Sequence, residues 1–183
     1  MARSRGFRVS GIDISAAAAG EAAKKGIDVA IGTLESNPPR SASYDVVTMF
    51  DVLEHVARPD GLIRNVSNMI KPGGIVMGCT PDSMSVNARL MGRCWHLLFP
   101  PEHLVLLNEK SIRLLLGMYD FEVLWTGRVS KRFSLSYVLQ TAARWLGLPF
   151  LSRASRALQG TWLGRVPIPL DVRDNLFFIA RRT

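Results

Sequence analysis

The segment Tyr44-Asp45-Val46-Val47-Thr48-Met49-Phe50-Asp51-Val52-Leu53-Glu54-His55-Val56 runs from an apolar stretch straight into two carboxylates and an imidazole. In an open parallel sheet, ligands bind beyond the carboxyl ends of the strands, so polar groups placed there are stronger site candidates than polar groups elsewhere. Asp51, Glu54 and His55 could bind a ligand, hold a metal or handle a proton. The alternative is that Glu54 and His55 satisfy backbone groups at a helix terminus. A further acid, Asp13 in Gly11-Ile12-Asp13-Ile14-Ser15, stands where a strand gives way to a helix. A carboxylate there can accept hydrogen bonds from both hydroxyls of a ribose, or cap the helix. The chain has three histidines, His55, His96 and His103, and histidine is the usual base near neutral pH. His55, at a strand end, is the first candidate; His96, beside Trp95, reads as packing.

The elements that must position these groups follow from hydrophobic spacing. Arg8 to Ile14 reads as a short buried strand, and Ser15 can cap an Ala-rich helix that runs to Lys24-Lys25 and stops at Gly26. Ile27 to Ile31 is a second strand, Asn37-Pro38-Pro39-Arg40-Ser41 a loop, and Tyr44 to Phe50 a third strand, apolar enough to be covered on both faces. Pro59 and Asp60 open a helix with Leu62, Ile63, Val66, Met69 and Ile70 on one face. Lys71-Pro72-Gly73-Gly74 then turns the chain into strand Ile75 to Thr80, a structural role for its glycines. Asn108 can cap a helix through Leu116, followed by strand Phe121 to Trp125. A helical insertion of about residues 130–169 precedes a last strand, Asn175 to Ala180. Within it Leu135, Val138, Leu139, Ala142 and Leu146 share one helical face, and Leu151, Ala154, Leu158 and Trp162 another. The order of strands and helices predicts an α/β domain with a mostly parallel, Rossmann-like sheet covered by helices, and one domain over 1–183.

Composition narrows the classes. Hydrophobic residues make up 48% and charged residues 21%, the balance of a folded globular chain. No apolar run approaches the roughly 18 residues that span a bilayer. The basic start Met1-Ala2-Arg3-Ser4-Arg5 is not followed by a signal segment. Two cysteines, Cys79 and Cys94, are too few for a disulfide framework, so a cytoplasmic setting is expected. The net charge of +8 is confined to the last third. Met1 to Gly127 carries 13 basic and 13 acidic residues, and Arg128 to Thr183 carries 10 basic and 2 acidic. Such asymmetry points to an anionic partner, surface or substrate, or to a solvated basic face.

Together, Val9-Ser10-Gly11-Ile12-Asp13-Ile14-Ser15, the Tyr44–Val56 segment, Ile70-Lys71-Pro72-Gly73-Gly74-Ile75-Val76 and Thr80-Pro81-Asp82 resemble class I S-adenosylmethionine-dependent methyltransferases. Pro100-Pro101-Glu102-His103-Leu104 and Phe121-Glu122-Val123 point to the ubiquinone-biosynthesis O-methyltransferase subgroup. The resemblance covers about residues 5–127. It implies S-adenosylmethionine as cofactor, with Asp13 on the ribose hydroxyls, Ile14 against the adenine, Thr33 and Leu34 flanking that ring, and Phe50 and Asp51 along the methionine and ribose side of the cofactor site, with Leu53 packing nearby. It places His103 in the acceptor-side wall, a second candidate base beside His55. Some relatives bind a divalent cation at an acid-x-x-Glu-His segment; Asp51 stands where they more often have Glu, and no metal is expected here.

Members of that family begin with a strand that ends in an Asp/Glu-x-Gly-x-Gly loop, and no such run occurs in this sequence. Ala2 to Phe7 resembles the end of the helix that follows the loop. An N-terminally truncated methyltransferase domain is therefore expected, with a degraded remnant or a rearranged chain as alternatives. The expected reaction is methyl transfer to oxygen of a small-molecule or lipid-like acceptor. A catalytically inactive binding or partner subunit and a nicotinamide-dependent oxidoreductase are the competing readings. The insertion has Trp145, Trp162, Arg144, Arg153, Arg156 and Arg165 and no acid between Arg128 and Leu170. It is expected either to touch an anionic membrane peripherally or to close over the core as a lid. Nucleic acid is not expected, because the basic residues are not interleaved with aromatics on a flat sheet face.

Overall fold

Ser15 ends the first strand by accepting a hydrogen bond from the Ala18 N–H through its side chain, which starts the first helix as its chemistry predicts. The computed structural model describes residues 2–37, 42–129, 133–168 and 173–183. Strand β1 is Ser10–Asp13, helix α1 Ala16–Lys24 and strand β2 Asp28–Ile31. β1 and β2 form a parallel pair of their own. Before them, Arg3–Arg5 makes a single 3-10 turn closed by Gly6. The expected loop at Pro38–Ser41 lies outside the described residues.

The larger sheet contains β3 (Tyr44–Phe50), β4 (Ile70–Pro81), β5 (Phe121–Val129) and β8 (Asn175–Arg182), in the order β3-β4-β8-β5. β3 and β4 are parallel; β8 runs antiparallel to both of its neighbours. α2 (Pro59–Met69) and α4 (Glu109–Gly117) supply the covering layer. The predicted face of α2 is the buried one, with Leu62, Ile63, Val66 and Met69 in the core and Ile70 just beyond. Asn108 caps α4 in a reciprocal capping box with Ser111. The core gathers these residues with Met49, Val76, Ile112, Leu116, Phe178 and Ala180.

Three expectations need correction. Lys71-Pro72-Gly73-Gly74 is not a turn ahead of the strand but an irregularity inside it: β4 already pairs at Ile70 with Tyr44, then resumes at Ile75 with Val46. Gly74 is needed there, since a Cβ would lie 2.9 Å from the Lys71 carbonyl oxygen. β5 runs on past Trp125 to Val129. β3 is covered on one face only: Val47 and Met49 point to the core, whereas Val46, Thr48 and Phe50 are exposed. A parallel strand between two helical layers would bury both sets.

The insertion opens with β6 (Phe133–Ser134), continues through α5 (Leu135–Leu146) and α6 (Pro149–Leu158), and closes with β7 (Pro167–Ile168), which pairs back on β6. α3 (Val86–Met91) lies between β4 and α4. No helix among the described residues is long and apolar enough to cross a membrane.

Candidate functional site

Asp13 is the last residue of β1 and is exposed; its Oδ1 accepts the Ser15 N–H at 2.8 Å. The capping and the ligand-facing roles are thus compatible, because one oxygen orients the carboxylate and the group still faces solvent. Ile14 beside it is 77% exposed, an apolar side chain turned to solvent. The loop after β2 returns to the same place, since the Gly32 N–H donates to the Asp13 carbonyl at 2.9 Å. Thr33 and Ser36 then tie that loop to itself, and Leu34 packs against the core. An exposed acid, an exposed aliphatic side chain and a closed loop fit a nucleoside: hydroxyls for the carboxylate, a ring for Ile14.

The second half of the site lies at the end of β3. Phe50 is 50% exposed, its ring centroid 5.9 Å from that of Phe177. Asp51 turns the chain with a positive φ of 53°, held by its N–H on the Cys79 carbonyl at 2.9 Å. A non-glycine residue in that region is uncommon, and the strain is borne because β4 fixes the turn. The turn aims Leu53 and Glu54 inward. Leu53 is 1% exposed and packs in the core.

Glu54 is buried, and its Oε2 accepts the Thr80 hydroxyl at 3.1 Å. Burial pushes its carboxyl above the ordinary value. Its backbone carbonyl accepts the N–H groups of Leu104 (2.7 Å) and Val105 (3.2 Å), which brings the His103 segment back to β3. His55 and His103 meet edge to face, with centroids 4.9 Å apart. Each is anchored through Nδ1 to a carbonyl, His55 to Glu102 at 2.9 Å and His103 to Leu97 at 2.6 Å. An Nδ1–H that donates to a carbonyl leaves Nε2 as the nitrogen with the lone pair. Ligand atoms of Glu54, His55 and His103 lie within 4.8 Å of one another, a set of donors that suits a divalent cation as well as a proton. Asp51 is not a member of this set. The spacing of Asp51, Glu54 and His55 thus gave two of three members; the third arrives from 48 positions downstream of His55.

His96 is half-buried, and burial lowers its pKa while the Asp174 carboxylate, 3.7 Å away, opposes that shift. It packs, as expected, together with Trp95, whose Nε1–H donates to the buried Asp174 at 3.0 Å. Thr80, the partner of Glu54, was not anticipated; its place in Thr80-Pro81-Asp82 at a strand end is the one available signal.

The model of a family described as methyltransferase domain matches residues 1–125. A ubiquinone biosynthesis O-methyltransferase of Marinobacter nauticus is 37% identical over 79 residues, 38% of this chain and 33% of that protein. The chain spans about a third of the length of the curated relatives it matches. Among solved structures, an S-adenosylmethionine-dependent methyltransferase of Mesorhizobium loti superposes with a TM-score of 0.64 at 17% identity, covering 99% of this chain and 83% of that one. The cyclase SpnF superposes with a TM-score of 0.61 at 19% identity, covering 99% and 68%. These likenesses support the α/β fold; the cyclase shows that the fold alone does not name a reaction.

Proposed function

Because this chain belongs to the methyltransferase-domain family, we propose that it performs S-adenosylmethionine-dependent methyl transfer to oxygen of a small-molecule, lipid-like acceptor. The observation that supports this reading most is the pairing of an exposed acid at the end of β1 with two anchored imidazoles beyond the end of β3. The partly matching relatives named for O-methylation support oxygen as the target.

When bound, S-adenosylmethionine supplies an electrophilic methyl group. Asp13 would hold the ribose hydroxyls and Ile14 the adenine face, with Thr33 and Leu34 flanking that ring and Phe50 and Asp51 along the methionine and ribose side. His55 or His103, each oriented by a carbonyl on Nδ1, would take the acceptor's proton at Nε2. Buried Glu54 beside them would stabilise the imidazolium that forms, or hold a divalent ion against the acceptor oxygen. In-line transfer mainly needs these groups held still, and the carbonyl anchors do that.

The test is isothermal titration of the 183-residue chain with S-adenosylhomocysteine. Micromolar binding is expected, weakened about tenfold or more by Asp13→Ala, a loss of roughly 1.4 kcal/mol. His55→Ala and His103→Ala are expected to leave that binding intact and to slow methyl transfer by about 100-fold or more. A folded sample that gives no heat would shift the reading to a non-catalytic partner subunit.

A further inference from the structure

Among the described residues, none in the main core cluster comes from the insertion. α5 and α6 instead pack on each other, across small residues. Ser155 is buried between them, and its hydroxyl donates to the Ser136 carbonyl at 2.8 Å and approaches Gln140 Oε1 at 3.1 Å. The base is closed by β6 and β7 and by the Leu135 N–H on the Val166 carbonyl at 3.0 Å. Arg128, one step before β5 ends, is tied to buried Asp82 at 2.7 Å, so the hairpin leaves the body from a fixed point. Trp162 lies beyond the end of α6 and is 76% exposed, a correction to its expected place on the face of Leu151, Ala154 and Leu158. The side chains of Arg144 and Trp145 lie outside what the structure describes.

What α6 shows to solvent has a pattern. Phe150, Arg153 and Ala157 follow helical spacing on the exposed side, with Arg156 alongside. Phe150 is 61% exposed at the start of the helix, and Trp162 and Leu163 (43%) follow its far end, with Arg165 next. A ten-residue helix is about 15 Å long, so large apolar groups mark both ends and guanidinium groups lie between. No carboxylate occurs from Val129 to Leu170 to neutralise those charges locally. We propose that the outer face of the α5–α6 hairpin docks on an anionic lipid surface, with Phe150 and Trp162 entering the headgroup boundary and Arg153, Arg156 and Arg165 meeting the phosphates. Helices of this composition lie in the interface plane rather than across it, and indole and guanidinium groups suit its wet, charged side. The proposal rests on none of the residues assigned to methyl transfer and does not depend on that site being active.

The experiment is flotation of the whole chain with vesicles of phosphatidylcholine alone and of equal parts phosphatidylcholine and phosphatidylglycerol. Binding is expected only to the anionic vesicles, and salt at about 1 M, where the Debye length is about 3 Å, should release it. Arg153→Gln with Arg156→Gln is expected to weaken partitioning roughly 25-fold, since each basic residue near such a surface contributes about a fivefold factor. Phe150→Ser with Trp162→Ser should abolish residual binding in moderate salt. Unchanged urea midpoints and S-adenosylhomocysteine titrations would show that these variants are folded. Equal binding to both vesicle types, or none to either, overturns the proposal. So does retention on heparin together with vesicle binding that the Phe150 and Trp162 changes leave untouched, which would mark a site for soluble polyanions.

Discussion

Glu54 concentrates the cost of the site in one side chain. It is buried, and desolvation outweighs the help of its own backbone N–H and the Thr80 hydroxyl, so its proton is held more tightly folded than unfolded. A raised carboxyl pKa means that stability falls as pH rises from the ordinary value of 4.5 through the folded value, and the cost persists above it. Glu54→Gln removes the charge and keeps both bonds, its oxygen accepting the backbone N–H and its amide donating to Thr80. The variant is expected to be more stable than the parent at neutral pH, by about 1.4 kcal/mol for each tenfold difference in proton affinity. That advantage should vanish below about pH 4.5, which urea midpoints at the two pH values would read. An advantage that grew on acidification would instead show a carboxylate held ionised. The same variant should lose any affinity for a divalent ion shared with His55 and His103.

At the scale of elements, two glycines in strands that flank β8 make opposite predictions from the same absence of a side chain. A Cβ on Gly78 in β4 would stand 2.5 Å from the Phe178 ring and 2.6 Å from the Met49 carbonyl, and neither can move without disturbing the core or β3. Gly78→Ala is expected to cost about 1–3 kcal/mol by over-packing. On Gly127 in β5 the obstacle is the ring of Trp125, which is 48% exposed and can swing aside, so Gly127→Ala should cost under about 1 kcal/mol. Thermal melts of the two variants would separate them. β5 extends through Gly127, which makes room for the Trp125 indole. What the sequence did reveal was local. Ser15 and Asn108 cap through bonds within three residues, and the apolar spacing of α2 is that of its buried face. What it could not reveal depends on more than local spacing: His103 meeting His55, Thr80 meeting Glu54, and Trp162 leaving the helical face assigned to it. An apolar strand such as β3 reads the same whether one face or two are covered.

On the scale of the whole molecule, that ambiguity has a physical consequence. Phe50, Cys79, Phe177 and Gly127 stand in one row across β3, β4, β8 and β5, on the face opposite the core. Trp125 leans over Gly127 toward Phe177, with centroids 5.8 Å apart. Val46 (42% exposed), Phe50 and Trp125 are open, and Ile75, Met77, Phe177 and Ile179 on this face are only half-buried. β3 is also an edge of its sheet, joined toward β1 by the 3.2 Å contact of the Tyr44 and Ser10 hydroxyls. A continuous apolar face beside a strand edge that has no ladder partner among the described residues favours association, because burial of the two gains apolar area and backbone partners together. The chain alone is therefore expected to sediment faster as its concentration rises and to bind a hydrophobic dye while its far-ultraviolet circular dichroism stays that of a folded protein. Val46→Lys with Trp125→Lys places two charges on that face without touching the core, and should return the protein to a monomer with dye binding reduced several-fold. The parent remaining monomeric and dye-free at every concentration would mean that the face is covered in solution, and the uncovered strand surface would lose its claim to be a feature of the folded chain.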